Sequence, residues 1–437
     1  MAEKGRMGIV VGGGPAPGIN AVIGAAAIRG LVGGVEVVGI MDGFQWLMKG
    51  DISHVVNLTR ESVSRIHFWG GSVLRTSRAN PTAKPEYLER TVDSLRQLNI
   101  DRLVTIGGDD TAFTALSIQR IAGDSIRVAH VPKTIDNDLD LPPHVDTFGF
   151  QTARRVGVEI VKNLMIDAHT TSRWYFAVTM GRKAGHLALG IGKAASATLT
   201  IIPEEFLDPS VPMRAIVDTL IGAIIKRRAQ GREDGVAVIA EGLLLKIDKV
   251  DLKEVEGIEE DEHGNLRLSE VSFAETLKKA VQKVLKEEFN LKVTIVHKDI
   301  GYELRCADPT PLDMEYARDL GYCAAKYIMS GGKGVMVSLQ GGNFVPIPFE
   351  RMVDPTTGRT RVRMVDIESM RYRIARRYMI RLRRDDFLDE AQLAALAQTV
   401  NMTPKAFRER FEYLVEWERP PVVLHDPDGN PLIARDS

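Results

Sequence analysis

The stretch "DRLVTIGGDDT", Asp101 to Thr111, decides how the chain folds. Leu103 to Ile106 is a short apolar run bounded by turn residues, which reads as a buried strand. Gly107 and Gly108 then read as a tight turn at its carboxyl end, where the backbone can approach a ligand. The same grammar recurs in "MGIVV" before "GGGPAPGIN", "VEVVGI" before "MDGF" and "IRVAHV" before "PKTIDND". Short buried strands alternating with longer helical patterns predict βαβ units on a parallel sheet, with ligands beyond the carboxyl ends of the strands. All four turn segments are therefore expected on one edge. The two adjacent carboxylates, Asp109 and Asp110, pose a question: beside a phosphate, one can serve as a magnesium ligand, but the second sets negative charge against negative charge.

A second round follows, "WYFAVTM" before "GRKAGH" and "DGVAVIA" before "EGL", so a second α/β domain is expected from about Phe150. A chain of 437 residues exceeds the usual growth of one core. Two such domains facing one another would form a cleft between their loop edges. Leu243 to Ser269 contains the acidic run "EVEGIEEDEHGN" and reads as a solvated excursion, and "AETLKKAVQKVLKEEF" as an amphipathic surface helix. "KVTIV" and the Gly-Gly turn of "GVMVSLQGGNFVPIPF" are expected to rejoin the first domain. From Met370 the pattern is helical, with Met370, Ile374, Tyr378 and Leu382 four apart beneath a run of arginines that reads as a solvated or subunit-facing surface. The expected boundaries are about 1–148 plus about 292–360 for a donor-binding domain, about 149–291 for a sugar-phosphate domain, and about 361–437 for a helical extension.

Lys+Arg 57 against Asp+Glu 58 leaves a net charge of -1, which argues against nucleic acid or an acidic membrane as partner. Any anion site must be local. Cys306 and Cys323 are too few for a disulfide framework and lack zinc spacing, so a cytoplasmic location with reduced thiols is expected. Neither a signal peptide nor a membrane span is read from the pattern.

Three loops carry chemistry. In "GGGPAPGIN", Gly12 to Gly14 let the backbone meet a phosphate at a helix amino terminus, although in isolation the segment fits a plain βα turn equally well. It is neither the Walker pattern nor the dinucleotide fingerprint. "GGSVLRTSR", Gly70 to Arg78, adds a Gly-Gly turn with Arg75 and Arg78, a phosphate grip or simply two surface arginines. "PKTIDNDLD", Pro132 to Asp140, concentrates Lys133, Asp136 and Asp138 in one turn. A carboxylate beside a hydroxyl can take its proton, and a lysine beside it can neutralise phosphate.

In order along Gly8 to about Asp313, the glycine loop, the GGD loop, the TIDND turn, "TMGR", "AEGL" and the arginine before "PTP" resemble the phosphofructokinase family. The resemblance implies two Rossmann-like α/β domains, with the active site in the cleft between them, and a helical C-terminal extension. It implies Asp136 as catalytic base toward the sugar 1-hydroxyl and Asp138 as its orienting neighbour. Asp109 matches the aspartate that coordinates Mg²⁺. Gly14 and Arg78 match donor-phosphate contacts. Thr134, Ile135, Met180, Gly181, Arg182 and Glu241 match positions around the sugar phosphate, with Tyr302 in place of a family histidine. Arg173 and Arg305 match the arginines for its 6-phosphate, Arg173 reaching across from a neighbouring subunit of a homodimer or homotetramer.

ATP-using members resemble one another in a glycine where this chain has Asp110, whereas "GGDD" with "PKTIDND" is similar to the pyrophosphate-dependent members. A carboxylate where a nucleotide's α-phosphate would lie adds bulk and like-charge repulsion, while pyrophosphate ends short of it. Lys133 can pair with Asp110 and reach the donor. The expected reaction is reversible, Mg²⁺-dependent phosphoryl transfer from pyrophosphate to fructose 6-phosphate, as in glycolysis. Alternatives are an ATP-dependent enzyme of the same fold and a catalytically silent sugar-phosphate-binding subunit.

Overall fold

The computed structural model describes residues 5–252, 272–356 and 360–432, which divide into two compact units. The first takes the described residues up to Gly157 together with Ile300–Arg363. Its strands β1 (Arg6–Val11), β2 (Glu36–Ile40), β4 (Ile100–Gly107) and β5 (Arg127–Pro132) follow the apolar runs read from the sequence, while β3 (Val55–Asn57), short and partly exposed, is not among them. Two short strands, Val335–Met336 and Ile347–Pro348, extend the sheet beyond β5. The order is Ile347–Pro348, Val335–Met336, β5, β4, β1, β2, β3. The interior strands are parallel, and only β3 and Ile347–Pro348 run antiparallel, each at an edge. Met7, Ile9 and Val10 of β1 and Leu103, Val104 and Ile106 of β4 are all fully buried, as a parallel sheet covered on both faces requires.

Because β1 pairs with β2 on one side and β4 on the other, strand order reverses between β1 and β4. The loops after those two strands, Gly12–Gly18 and Gly107–Gly108, thus flank the switch point of the sheet, where open α/β sheets bind ligands. One face is covered by the apolar helix Ile19–Val32 against the helix Pro311–Met329. They meet at Gly321, where an added Cβ would stand 2.5 Å from the Val22 carbonyl oxygen.

The second unit begins at Val158 and includes the described residues from Met364 onward. Its sheet holds β6 (Trp174–Thr179), β7 (Leu199–Ile201), β8 (Gly235–Ala240) and β9 (Ile295–Ile300) in the order β7, β8, β6, β9. Every residue of β6, β7 and β8 is buried, and both β6 and β7 run parallel to β8. The "KVTIV" segment therefore pairs in this second sheet: the Trp174 amide donates to the Thr294 carbonyl at 2.9 Å. An edge strand has one neighbour, and nothing in its own residues names which sheet supplies it.

Leu243 and Leu244, expected in a solvated excursion, are buried in a 3-10 turn directly after β8, since they fill the core under the strand end. The acidic run itself, residues 254–265, lies outside the described residues. "AETLKKAVQKVLKEEF" is a helix, Phe273–Phe289, that buries Leu277, Val281 and Leu285. Beyond Met364 the chain forms helices Met370–Tyr378, Glu390–Thr399 and Pro404–Phe411. The first stops at Tyr378, and the Ile380 amide donates to the Thr198 carbonyl at 2.8 Å. Its inward face is Tyr372 and Ala375, while Met370, Ile374 and Tyr378 are exposed, so the four-apart stripe points to solvent until Leu382 turns in. The reason lies in charge: Arg381 is buried against Glu205 at 2.8 Å and fixes the direction of the chain there. No helix among the described residues is long and apolar enough to cross a membrane.

Candidate active site

Thr111 explains the glycines on either side of the switch point. A Cβ at Gly12 would lie 2.4 Å from its Oγ1 and one at Gly107 2.3 Å from it, so only glycine lets the two loops close on this buried side chain. The Gly12 amide donates to the Ile106 carbonyl at 2.8 Å, and Gly13, at φ 79, donates to the Ser77 carbonyl at 2.9 Å. The "RTSR" segment is thereby zipped to the glycine loop, with Arg78 exposed at its end. Asn20, which the sequence reading passed over, holds the preceding turn: its Nδ2 donates to the Trp69 carbonyl at 3.1 Å and its Oδ1 accepts from the Val73 amide at 2.8 Å.

Asp109 and Asp110 are the first two residues of the helix Asp109–Ala122. The unsatisfied amides of a helix start favour negative charge, which makes two adjacent carboxylates locally tolerable. The Asp110 amide donates to Asp109 Oδ1 at 3.0 Å.

Lys133 is 5% exposed. Its side chain runs past Gly13 so that Nζ donates to the Gly14 carbonyl at 2.5 Å, while its amide donates to the Gly107 carbonyl at 2.8 Å. Burial, reinforced by the Arg305 guanidinium, pulls its pKa down to about 8, and the carboxylates of Asp136, Asp109 and Asp138 pull the other way. Beneath it the fully buried His130 takes Thr105 Oγ1 at 2.8 Å on Nδ1 and the Gly107 carbonyl at 3.1 Å on Nε2. Burial lowers the His130 pKa to about 3, so the ring is neutral, with Nε2–H donating and Nδ1 accepting. His130 gave no sequence signal beyond one polar residue in an apolar strand.

The TIDND turn is held from several directions. Thr134 Oγ1 donates to Asp138 Oδ1 at 3.2 Å and accepts from the Asp136 amide at 3.0 Å. Asn137 sits at φ 56, donates through Nδ2 to Asp146 at 2.8 Å and accepts the Thr147 amide at 3.0 Å. Ile135 is buried and Asp136 half-buried. Arg363 then clasps the loop, its amide donating to the Asp138 carbonyl at 2.8 Å and its guanidinium to the Asn137 carbonyl at 3.1 Å, Asn137 Oδ1 at 2.5 Å and the Val145 carbonyl at 2.8 Å. Arg305 stacks over the Tyr302 ring at 5.0 Å, and an added Cβ at Gly14 would lie 3.5 Å from its guanidinium carbon. The first unit thus brings Gly14, Lys133 and Arg305 together, with the carboxylates of Asp109, Asp136 and Asp138 near enough to act on the lysine.

In the second unit, Met180, Gly181 and Arg182 follow β6, and Glu241 follows its neighbour β8. The buried Glu241 Oε1 accepts the Gly181 amide at 2.9 Å, Gly181 standing at φ 145. Glu204, also missed from sequence, accepts the Gly185 amide at 2.9 Å and the Val365 amide at 2.9 Å, and burial raises its pKa. Arg173 immediately precedes β6, at the opposite end from Met180 and roughly 20 Å away along a six-residue strand. Its own unit does not bring it to Arg182.

Among the described residues no three His, Cys, Asp or Glu side chains converge as a metal site. Mg²⁺ takes hard oxygen ligands, commonly one or two carboxylates with phosphate oxygens completing the shell, and Asp109 supplies one carboxylate at the start of its helix.

The phosphofructokinase family model matches residues 6–328. The chain is 51% identical over 421 residues to a pyrophosphate–fructose 6-phosphate 1-phosphotransferase of Thermotoga maritima, covering 95% of this chain and 100% of that one. It is 48% identical over 422 residues to the protein of the same name from Naegleria fowleri, covering 94% and 96%. Among solved structures it resembles the pyrophosphate-dependent phosphofructokinase of Nitrosospira multiformis, with a TM-score of 0.64 at 18% identity, over 100% of this chain and 99% of that one.

Proposed function

From the premise that the chain belongs to the phosphofructokinase family, we propose that it transfers a phosphoryl group from pyrophosphate to the 1-hydroxyl of fructose 6-phosphate, giving fructose 1,6-bisphosphate and phosphate. Lys133 carries this reading. A buried ammonium hydrogen-bonded to the glycine loop, where the donor's phosphates are assigned, costs desolvation that an anionic ligand would offset.

Pyrophosphate is assigned to Gly14, Lys133 and Arg78. Asp110, in the first turn of its helix, is the charge that keeps a longer nucleotide donor out. Asp136 accepts the proton of the attacking hydroxyl, and Asp138, tied to Thr134, orients that end of the turn. By the family resemblance, the sugar phosphate is assigned to Thr134, Ile135, Met180, Gly181, Arg182, Glu241, Tyr302 and Arg305. When bound, Mg²⁺ would be held by Asp109 with donor phosphate oxygens and would neutralise their charge. The rest is positioning: the protein lines up the hydroxyl with phosphorus and supplies fixed positive charge where negative charge develops. Pyrophosphate and the sugar phosphoester have comparable transfer potential, so the reaction runs in either direction.

The placement of Arg173 at the far end of β6 supports a homodimer or homotetramer in which this arginine serves a neighbouring copy. Two cysteines without a disulfide, Cys306 exposed and Cys323 half-buried, support a cytoplasmic location. A coupled assay comparing pyrophosphate with ATP at equal magnesium tests the donor. Preference for pyrophosphate is expected, and preference for ATP overturns it.

A further inference from the structure

The "RTSR" segment does more than carry Arg78. Ser72 to Arg75 closes as a turn, the Arg75 amide donating to the Ser72 carbonyl at 3.1 Å and Ser72 Oγ to the Arg75 carbonyl at 3.0 Å. Arg75 stands at φ 55, an uncommon conformation for a residue with a Cβ, and such strain persists only where the surroundings over-determine it. Here both flanks are fixed. The Asp42 amide, after β2, donates to the Leu74 carbonyl at 3.0 Å, and the Gly13 amide, after β1, donates to the Ser77 carbonyl at 2.9 Å. At Gly43, φ 62, an added Cβ would lie 2.8 Å from Ser77 Oγ and 2.9 Å from the Val11 carbonyl oxygen, so the loops after β1 and β2 close on the segment with no room for a side chain.

Thr76 stands between these anchors, half-buried, and its Oγ1 donates to the Gly13 carbonyl. The next carbonyl, that of Gly14, receives Lys133 Nζ. Two consecutive carbonyls of the glycine loop are thus covered by donors from other segments, and neither is left to face a polyanion with its partial negative charge. In a trans peptide the carbonyl and the N–H point in opposite directions. Holding the Gly13 carbonyl on Thr76 therefore turns the Gly14 amide to the other side of the loop. The sequence "GGGP" gives that amide added weight, because the following peptide nitrogen belongs to Pro15 and carries no hydrogen. One hydroxyl decides which way the Gly14 N–H faces.

We propose that Thr76 is a positioning residue for the phosphoryl donor: its hydroxyl holds the Gly13–Gly14 peptide with the carbonyl turned from the donor and the Gly14 amide turned toward it. This rests on the assignment of the donor's phosphates to Gly14. A hydroxyl does not titrate in the working range, so Thr76 sets affinity for the donor without setting the pH at which the enzyme works.

Steady-state kinetics of the full chain test this with Thr76→Val, which removes the donor at nearly constant shape, and Thr76→Ser, which keeps it. In Thr76→Val, kcat/KM for pyrophosphate should fall tenfold or more, mainly through KM, while KM for fructose 6-phosphate stays within about twofold and the alkaline limb of the pH profile stays in place. Thr76→Ser should recover most of the loss. Should Thr76→Val fail to fold, Thr76→Ala removes the hydroxyl without adding a methyl group and is read the same way. An unchanged KM for pyrophosphate without the hydroxyl overturns the inference. So does a serine variant as impaired as the valine one, or a loss shared equally by both substrates, since either would mark a merely structural threonine. Wild type assayed with ATP in the same series keeps the donor reading separate: preference for ATP overturns that reading, and Thr76 is then judged by the same comparison on KM for ATP, whose terminal phosphates would meet the same loop.

Discussion

Lys133 shows how one buried charge sets a working range. With its pKa near 8 against an ordinary 10.5, the free enzyme loses the ammonium as pH rises through about 8. If that charge neutralises the donor, kcat/KM for pyrophosphate falls above pH 8, and Lys133→Arg, charged throughout, moves the alkaline limb upward. A limb that stays in place in the arginine variant removes Lys133 from this role. The linkage to stability has the opposite sense: between about 8 and 10.5 the unfolded chain binds the proton and the folded one does not, so this residue favours folding more as pH rises through that window. Asp136→Ser should lower kcat by about 10²–10⁴ with a modest change in KM for the sugar phosphate, as loss of a general base does. Asp110→Gly should shift the ATP-to-pyrophosphate ratio of kcat/KM toward ATP by tenfold or more, measured side by side at equal magnesium. An unchanged ratio leaves the helix amino terminus as the whole reason for a second carboxylate at that point.

At the scale of elements, the TIDND turn depends on a segment more than two hundred residues away. Val362 bridges Leu139 in antiparallel fashion, and Arg363 holds Asn137, Asp138 and Val145. Arg363→Ala should lower kcat by tenfold or more, and amide exchange over residues 137–145 should quicken in hydrogen-exchange mass spectrometry. Arg363→Lys should recover little, since one ammonium cannot span several carbonyls in the fork geometry of a guanidinium. Normal exchange in Arg363→Ala would assign the turn's order to Thr147 and Asp146 instead. The "PKTIDND" and "GGDD" motifs named this turn in the sequence, whereas Arg363, Asn20 and His130 act through hydrogen bonds that have no short-range signature.

At the scale of the molecule, the C-terminal helices are locked to the second unit by charges taken out of water. Lys226 Nζ meets Asp386 at 2.8 and 2.6 Å with both side chains nearly buried. Asp218 receives Arg410 at 2.6 and 2.7 Å, Arg214 at 3.0 Å and the Tyr413 hydroxyl at 2.6 Å. Lys226→Met leaves Asp386 uncompensated and should cost about 3–5 kcal/mol, while Lys226→Met with Asp386→Leu should recover most of it. The urea midpoint of each variant reads this directly. If the double variant is no more stable than the single one, the loss comes from packing and not from a stranded charge.

Strand runs, glycine turns and the spacing of charged residues are local properties, and they were enough to specify the parallel sheet, the loops at its switch point and the family to which those loops belong. Which sheet takes β9, which face of the helix Met370–Tyr378 turns inward, how deeply Lys133 is buried and which distant arginine closes the TIDND turn depended on the folded chain. Each of these is settled by partners far apart in sequence, through desolvation and hydrogen bonding in the interior, and a periodicity read over a dozen residues carries no record of them.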